Sequence, residues 1–127
     1  MGFWIFMLVI GLLIPAVMIL FGAIFTKTAP KKINYLFGYR TAMSMKNRDT
    51  WEFAHQYIGK LWLRAGLLLV PITVIPMLLV IGKTQNVVGT VGLIAGFIHT
   101  IVLIVPVFYT EKALKKAFDQ DGKRKVG

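Results

Sequence analysis

Three uninterrupted apolar stretches, Phe3 to Phe25, Leu61 to Gly82 and Val87 to Tyr109, fill more than half of this 127-residue chain. Each holds 22 or 23 residues. At about 1.5 Å of helical rise per residue, that length crosses a hydrocarbon layer roughly 30 Å thick. A soluble domain of this size has too little interior to hide three such segments, and the 57% hydrophobic content agrees. The sequence therefore predicts an all-α integral membrane protein with three transmembrane helices. Phe3 to Phe25 has no basic start, exceeds a signal-peptide core and carries no small-x-small cleavage site before Lys27, so it reads as a retained helix.

Charge then orients the spans. Eight Lys and Arg residues fall between Lys27 and Arg64, one (Lys83) lies in the second connection, and six lie between Lys112 and Lys125. The positive-inside rule puts the amino terminus outside, residues 26–60 in the cytoplasm, the turn from Lys83 to Asn86 outside and the carboxyl terminus inside, in a multi-pass protein of the plasma membrane. The net charge of +10 is accounted for by topology and contact with anionic membrane lipids, so no nucleic-acid partner is expected. The absence of cysteine excludes disulfides, thiolate metal sites and cysteine catalysis.

Small residues mark the packing faces. Trp4, Gly11, Pro15, Met18 and Gly22 share one stripe of the first span. Gly89, Gly92, Gly96, His99, Leu103 and Pro106 share one of the third, including a GxxxG arrangement at Gly92 and Gly96. Three spans bury little surface alone, so a homo-oligomer assembled through the glycine stripes is expected. Residues 1–118 read as a single membrane domain, with the third helix running two turns past Tyr109, and 119–127 as a disordered basic tail.

The polar part of the chain lies between the first two spans, in Asn34…Gly38-Tyr39-Arg40-Thr41 and Asn47-Arg48-Asp49-Thr50-Trp51-Glu52-Phe53-Ala54-His55. Its second half predicts an amphipathic helical extension leading into span two, with Asp49 as N-cap and Glu52 completing a capping-box pair. His55, Gly59, Trp62, Gly66, Thr73 and Met77 then form one continuous stripe facing the other helices.

The chemistry these residues offer is narrow. Arg40 beside a Gly-permitted turn suits an anionic group, or else lipid phosphates and helix carbonyls. Glu52 and His55 have the spacing of carboxylate-bridged metal sites, but too few further carboxylates exist to complete one, so no metal or cofactor is expected. His55 is expected to bond within the helix packing or toward Arg40, Asn34 or Asn47. His99, near the middle of span three, is either a proton relay or substrate contact or a structural hydrogen bond to a Thr or a kink carbonyl. The spans contain no Asp or Glu, which counts against a proton-coupled exporter of organic cations, and no hydrolase or nucleotide motif is present.

The run Asn34…Gly38-Tyr39-Arg40-Thr41…Ser44…Asn47…Trp51…Ala54-His55…Gly59-Lys60 resembles the signature of the SdpI family of bacterial membrane proteins. In the family's namesake such a domain, preceded by additional spans, belongs to an immunity protein. That protein shields a Gram-positive cell from a secreted membrane-active peptide and holds a transcriptional repressor at the membrane. The resemblance implies a non-enzymatic membrane module, with a peptide toxin and a cytoplasmic regulator as partners. It marks Asn34, Gly38, Tyr39, Arg40, Thr41, Asn47, Trp51, His55 and Gly59 as motif positions with no catalytic role. The alternatives are a small oligomeric transporter or channel lined by His99, and a lipid-phosphate enzyme using Arg40 and His55.

Overall fold

The computed structural model describes residues 1–31, 33 and 38–125, and Asn34 lies outside them. Three helices follow in order: α1 (Gly2–Lys27), α2 (Arg48–Leu79) and α3 (Gln85–Ala117). All three are long and apolar enough to cross a membrane. Their large apolar side chains point outward more often than inward: Leu93 is 76% exposed, Phe97 73% and Phe108 70%. In water such a surface would drive association, whereas in lipid it is the solvated face. The chain is a multi-pass membrane protein.

The tightest crossing joins α1 to α2, and glycine makes it. A Cβ on Gly22 would come within 2.6 Å of the Leu63 amide nitrogen and 2.8 Å of the Gly59 carbonyl oxygen. A Cβ on Gly59 would meet the Thr26 nitrogen at 2.7 Å. Backbone here lies against backbone, so no side chain can yield to make room. The expected stripes fall at this seam: Pro15, Met18 and Gly22 are buried on α1, and His55, Gly59, Gly66, Thr73 and Met77 on α2. At the far end the Trp4 indole donates to the Met77 carbonyl at 2.7 Å.

Helix α3 packs through side chains. Met7 fills the space beside Gly92, while Gly96 has nothing within 4 Å of a Cβ position. Within one chain, the GxxxG pair therefore does not form the close crossing. His99 settles against Thr73, its Nε2 2.7 Å from the Thr73 hydroxyl, and is 2% exposed. This is the interhelical bond to a Thr that the sequence allowed. The Trp62 indole donates to the Leu103 carbonyl at 3.3 Å.

Three local readings change. Helix α2 begins one residue after Asn47, so the cap is Asn47 rather than Asp49. Asn47 Oδ1 accepts the Thr50 N–H at 2.9 Å, and Thr50 Oγ1 accepts the Asn47 N–H at 3.1 Å. Glu52 instead pairs with Arg48 one turn back, at 2.9 Å on the surface. Helix α2 also stops at Leu79, short of Gly82, whose φ of +80° turns the chain toward Thr84, the cap of α3. Finally, the expected disordered tail is folded as far as Lys125. The Asp119 N–H donates to the Lys123 carbonyl and the Lys125 N–H to the Ala117 carbonyl, both at 2.8 Å. Its polar composition suits solvent, but backbone groups of the turn find partners on Lys46 and Asn47.

Candidate functional site

The described part of the connection from α1 to α2 forms a polar knot with the start of α2 at the basic end of the bundle, and His55 is its centre. The Tyr39 backbone N–H donates to His55 Nε2 at 2.9 Å, and His55 Nδ1 lies 2.8 Å from the Trp51 carbonyl. An amide can only donate, so Nε2 carries no proton, and Nδ1 is the protonated nitrogen that donates to Trp51. Aromatic rings close around this neutral imidazole. Trp51 lies 4.3 Å away between ring centroids, Phe25 4.7 Å and Tyr39 6.4 Å. His55 and Trp51 are both 0% exposed.

Gly38 is what lets Tyr39 reach the imidazole. Its φ is +107°, a region that side-chain-bearing residues rarely adopt, and a Cβ there would sit 2.7 Å from His55 Nε2. Tyr39 then spends every polar group it has. Its carbonyl accepts from the Ser44 hydroxyl at 3.1 Å, and its phenol donates to the Glu111 carboxylate on α3 at 2.7 Å. Burial, and then the neighbouring Glu111 carboxylate, push the phenol above its ordinary value of 10.0. The phenol is therefore a fixed donor that ties the knot to the third helix.

A second ring of bonds closes the loop. The Thr41 N–H donates to Ser44 Oγ at 2.9 Å, and the Ser44 N–H returns to Thr41 Oγ1 at 3.1 Å. Thr50 Oγ1 donates to the Ser44 carbonyl at 3.0 Å while capping Asn47. The end of α1 is gripped by the Pro30 carbonyl, which accepts from the Trp51 indole at 2.9 Å and from Arg48 at 3.0 Å. Among the described residues, no buried side-chain nitrogen or oxygen lacks a partner. Unmade bonds here would each cost about 1–3 kcal/mol, so the network holds one conformation.

The expected site residues thus separate by exposure. Gly38, Tyr39, Thr41, Asn47, Trp51 and His55 join in the knot, and Gly59 serves the crossing about three helical turns beyond Asn47's cap toward the bilayer. Arg40 is the one exposed residue among the described motif positions. Arg40, His55 and Trp51 do not converge on a water-accessible pocket, because two of the three are sealed. Glu52 is exposed and paired with Arg48 while His55 faces inward, so the metal-like spacing does not produce a shared site. Sequence reasoning gave no role to Thr50, Arg48 or Glu111. The Asn47-x-x-Thr50 spacing was a readable cap signal, whereas Glu111 is brought to Tyr39 only by tertiary packing.

A helical membrane protein with this polar elbow between its first two spans matches the SdpI/YfhL protein family over residues 31–110, and the chain belongs to that family. It is 32% identical over 105 residues to a protein of Bacillus subtilis (strain 168) called "Uncharacterized protein YfhL", covering 83% of this chain and 86% of that one. No solved structure matches it.

Proposed function

We propose that this protein protects the membrane that holds it from a membrane-active peptide, by binding and sequestering the peptide. The reading rests on family membership together with one observation: the motif spends its side chains on a sealed knot and leaves Arg40 exposed on its surface. A hydrogen-bonded scaffold whose exposed motif residue is a cation is suited to recognition rather than to proton transfer. His55, with both nitrogens engaged, has none to offer a substrate. The charge distribution supports a cytoplasmic elbow, an external amino terminus and a cytoplasmic carboxyl terminus in the plasma membrane. There the elbow faces a cytoplasmic regulator, and the exposed helix faces meet lipid, the toxin and further copies of the chain.

Expression in a bacterium sensitive to such a peptide tests the proposal. The unmodified protein should restore survival, Arg40→Ala should abolish it at equal membrane abundance, and His99→Ala should leave it intact. Failure of the unmodified protein to protect, or protection that depends on His99 and not on Arg40, overturns the reading.

A further inference from the structure

The folded carboxyl-terminal turn creates a feature that the toxin reading does not use. An open cleft of about 650 Å³ lies between Met43 and Lys46 of the elbow, Lys115 and Phe118 at the end of α3, and the returning Lys125. The elbow and the carboxyl-terminal stretch, distant in sequence, thus bring three lysines to one rim. The return is held in place: the Lys125 N–H is bonded to the Ala117 carbonyl, Lys46 Nζ to the Gln120 carbonyl, and Asn47 Nδ2 to the Gly122 carbonyl at 2.6 Å. Gly122 has a φ of +81°, and a Cβ there would lie 2.5 Å from Asn47 Nδ2, so this seating is specific to glycine.

The cleft carries three lysines against two carboxylates. Among the described residues, the one ion pair joins Arg48 to Glu52, and none involves Lys46, Lys115 or Lys125. Asp119 spends an oxygen on the N–H groups of Asp121 and Lys123, each at 2.9 Å, which makes it an anchor of the turn. Asp121 stands exposed against three lysines. Holding like charges around one concavity is unfavourable unless an anion joins them, and the cleft has the size of a small-molecule site.

We propose that this cleft binds a phosphate-bearing anion through Lys46, Lys115 and Lys125. Lysine ammoniums serve phosphate as point charges, and the half-buried Met43 supplies an apolar edge for the organic part of an ester. The cleft stands away from the hydrocarbon. Phe118 lies nine residues beyond Tyr109, about 13 Å along an upright helix. A headgroup layer is roughly 5–8 Å deep per side. The ligand therefore arrives from water, as a soluble phosphate ester rather than a lipid headgroup.

The test uses the full chain in nanodiscs of zwitterionic lipid, titrated with inorganic pyrophosphate and with glycerol phosphate and followed by phosphorus NMR. Saturable binding is expected, weakened about tenfold by Lys115→Gln or Lys125→Gln and unchanged by Lys112→Gln, which lies outside the cleft. A parallel series in nanodiscs containing phosphatidylglycerol separates the sources: lysine-dependent retention of that lipid alone keeps the phosphate chemistry and moves its source to the membrane. Absence of binding in both series, or equal weakening by Lys112→Gln, overturns the proposal. Neither outcome depends on toxin protection.

Discussion

Gly38 carries two constraints at once, a left-handed backbone and a wall formed by His55, Pro30 and Trp51. Gly38→Ala should therefore destabilise the protein by about 2 kcal/mol or more, since backbone strain and overpacking add. Gly96→Ala has open space and gains helix propensity, so it should be neutral or slightly stabilising. Thermal unfolding of both variants in one detergent checks the contrast. The imidazole carries a further expectation. A second proton on His55 would set a donor against the Tyr39 N–H, so the neutral Nδ1–H tautomer should appear in nitrogen NMR spectra and persist until acid opens the elbow. Tyr39 supplies the alkaline counterpart. Its folded pKa is raised, so its stabilising contribution is complete below the unfolded value of about 10 and is lost as pH climbs through the folded one. Ultraviolet titration should show Tyr39 ionising last, together with loss of structure, and Tyr39→Phe should remove that coupling. Which polar residues would bond to each other was only partly legible in the chain. Local pairs such as Asn47 and Thr50 follow from spacing, but Tyr39 to Glu111 spans 72 residues and has no sequence signature.

At the scale of elements, the Gly22 and Gly59 crossing fixes how α2 leaves the elbow. Gly59→Val should disrupt it severely, because the atoms in the way belong to the backbone of residues 22–26 and cannot rotate aside. Cysteine pairs placed across α1 and α2 should crosslink readily in the parent protein and poorly in that variant. Apolar runs and small-residue stripes made the three helices and their buried faces readable in advance, because both depend on local periodicity. The same stripes did not say which glycines touch a neighbour. Gly92 meets a methionine and Gly96 meets nothing within 4 Å among the described residues, although their spacing is that of a crossing motif. Partner choice among helices is set by the whole bundle, and a helix end is set by whichever cap wins locally. Asn47 wins over Asp49 because Thr50 can return its bond, which places the start of α2 so that His55 faces inward.

For the whole molecule, burial and charge divide the protein into a lipid-facing bundle and a sealed polar elbow at one end, with Lys83 at the other. The carboxyl-terminal turn belongs to the elbow's end, and its folding escaped a reading based on composition because glycine and lysine content alone does not reveal which carbonyls Asn47 and Lys46 will take. The natural absence of cysteine makes the arrangement directly measurable. Gln56→Cys, exposed on the elbow, and Lys83→Cys, in the turn between α2 and α3, should react on opposite sides of the membrane with an impermeant thiol reagent. Lys83→Cys should be labelled in intact cells and Gln56→Cys after permeabilisation, with Trp51→Cys resistant under both conditions. Labelling of Gln56→Cys and Lys83→Cys from the same side, or rapid labelling of Trp51→Cys in the folded protein, would contradict the three-span bundle with its sealed elbow.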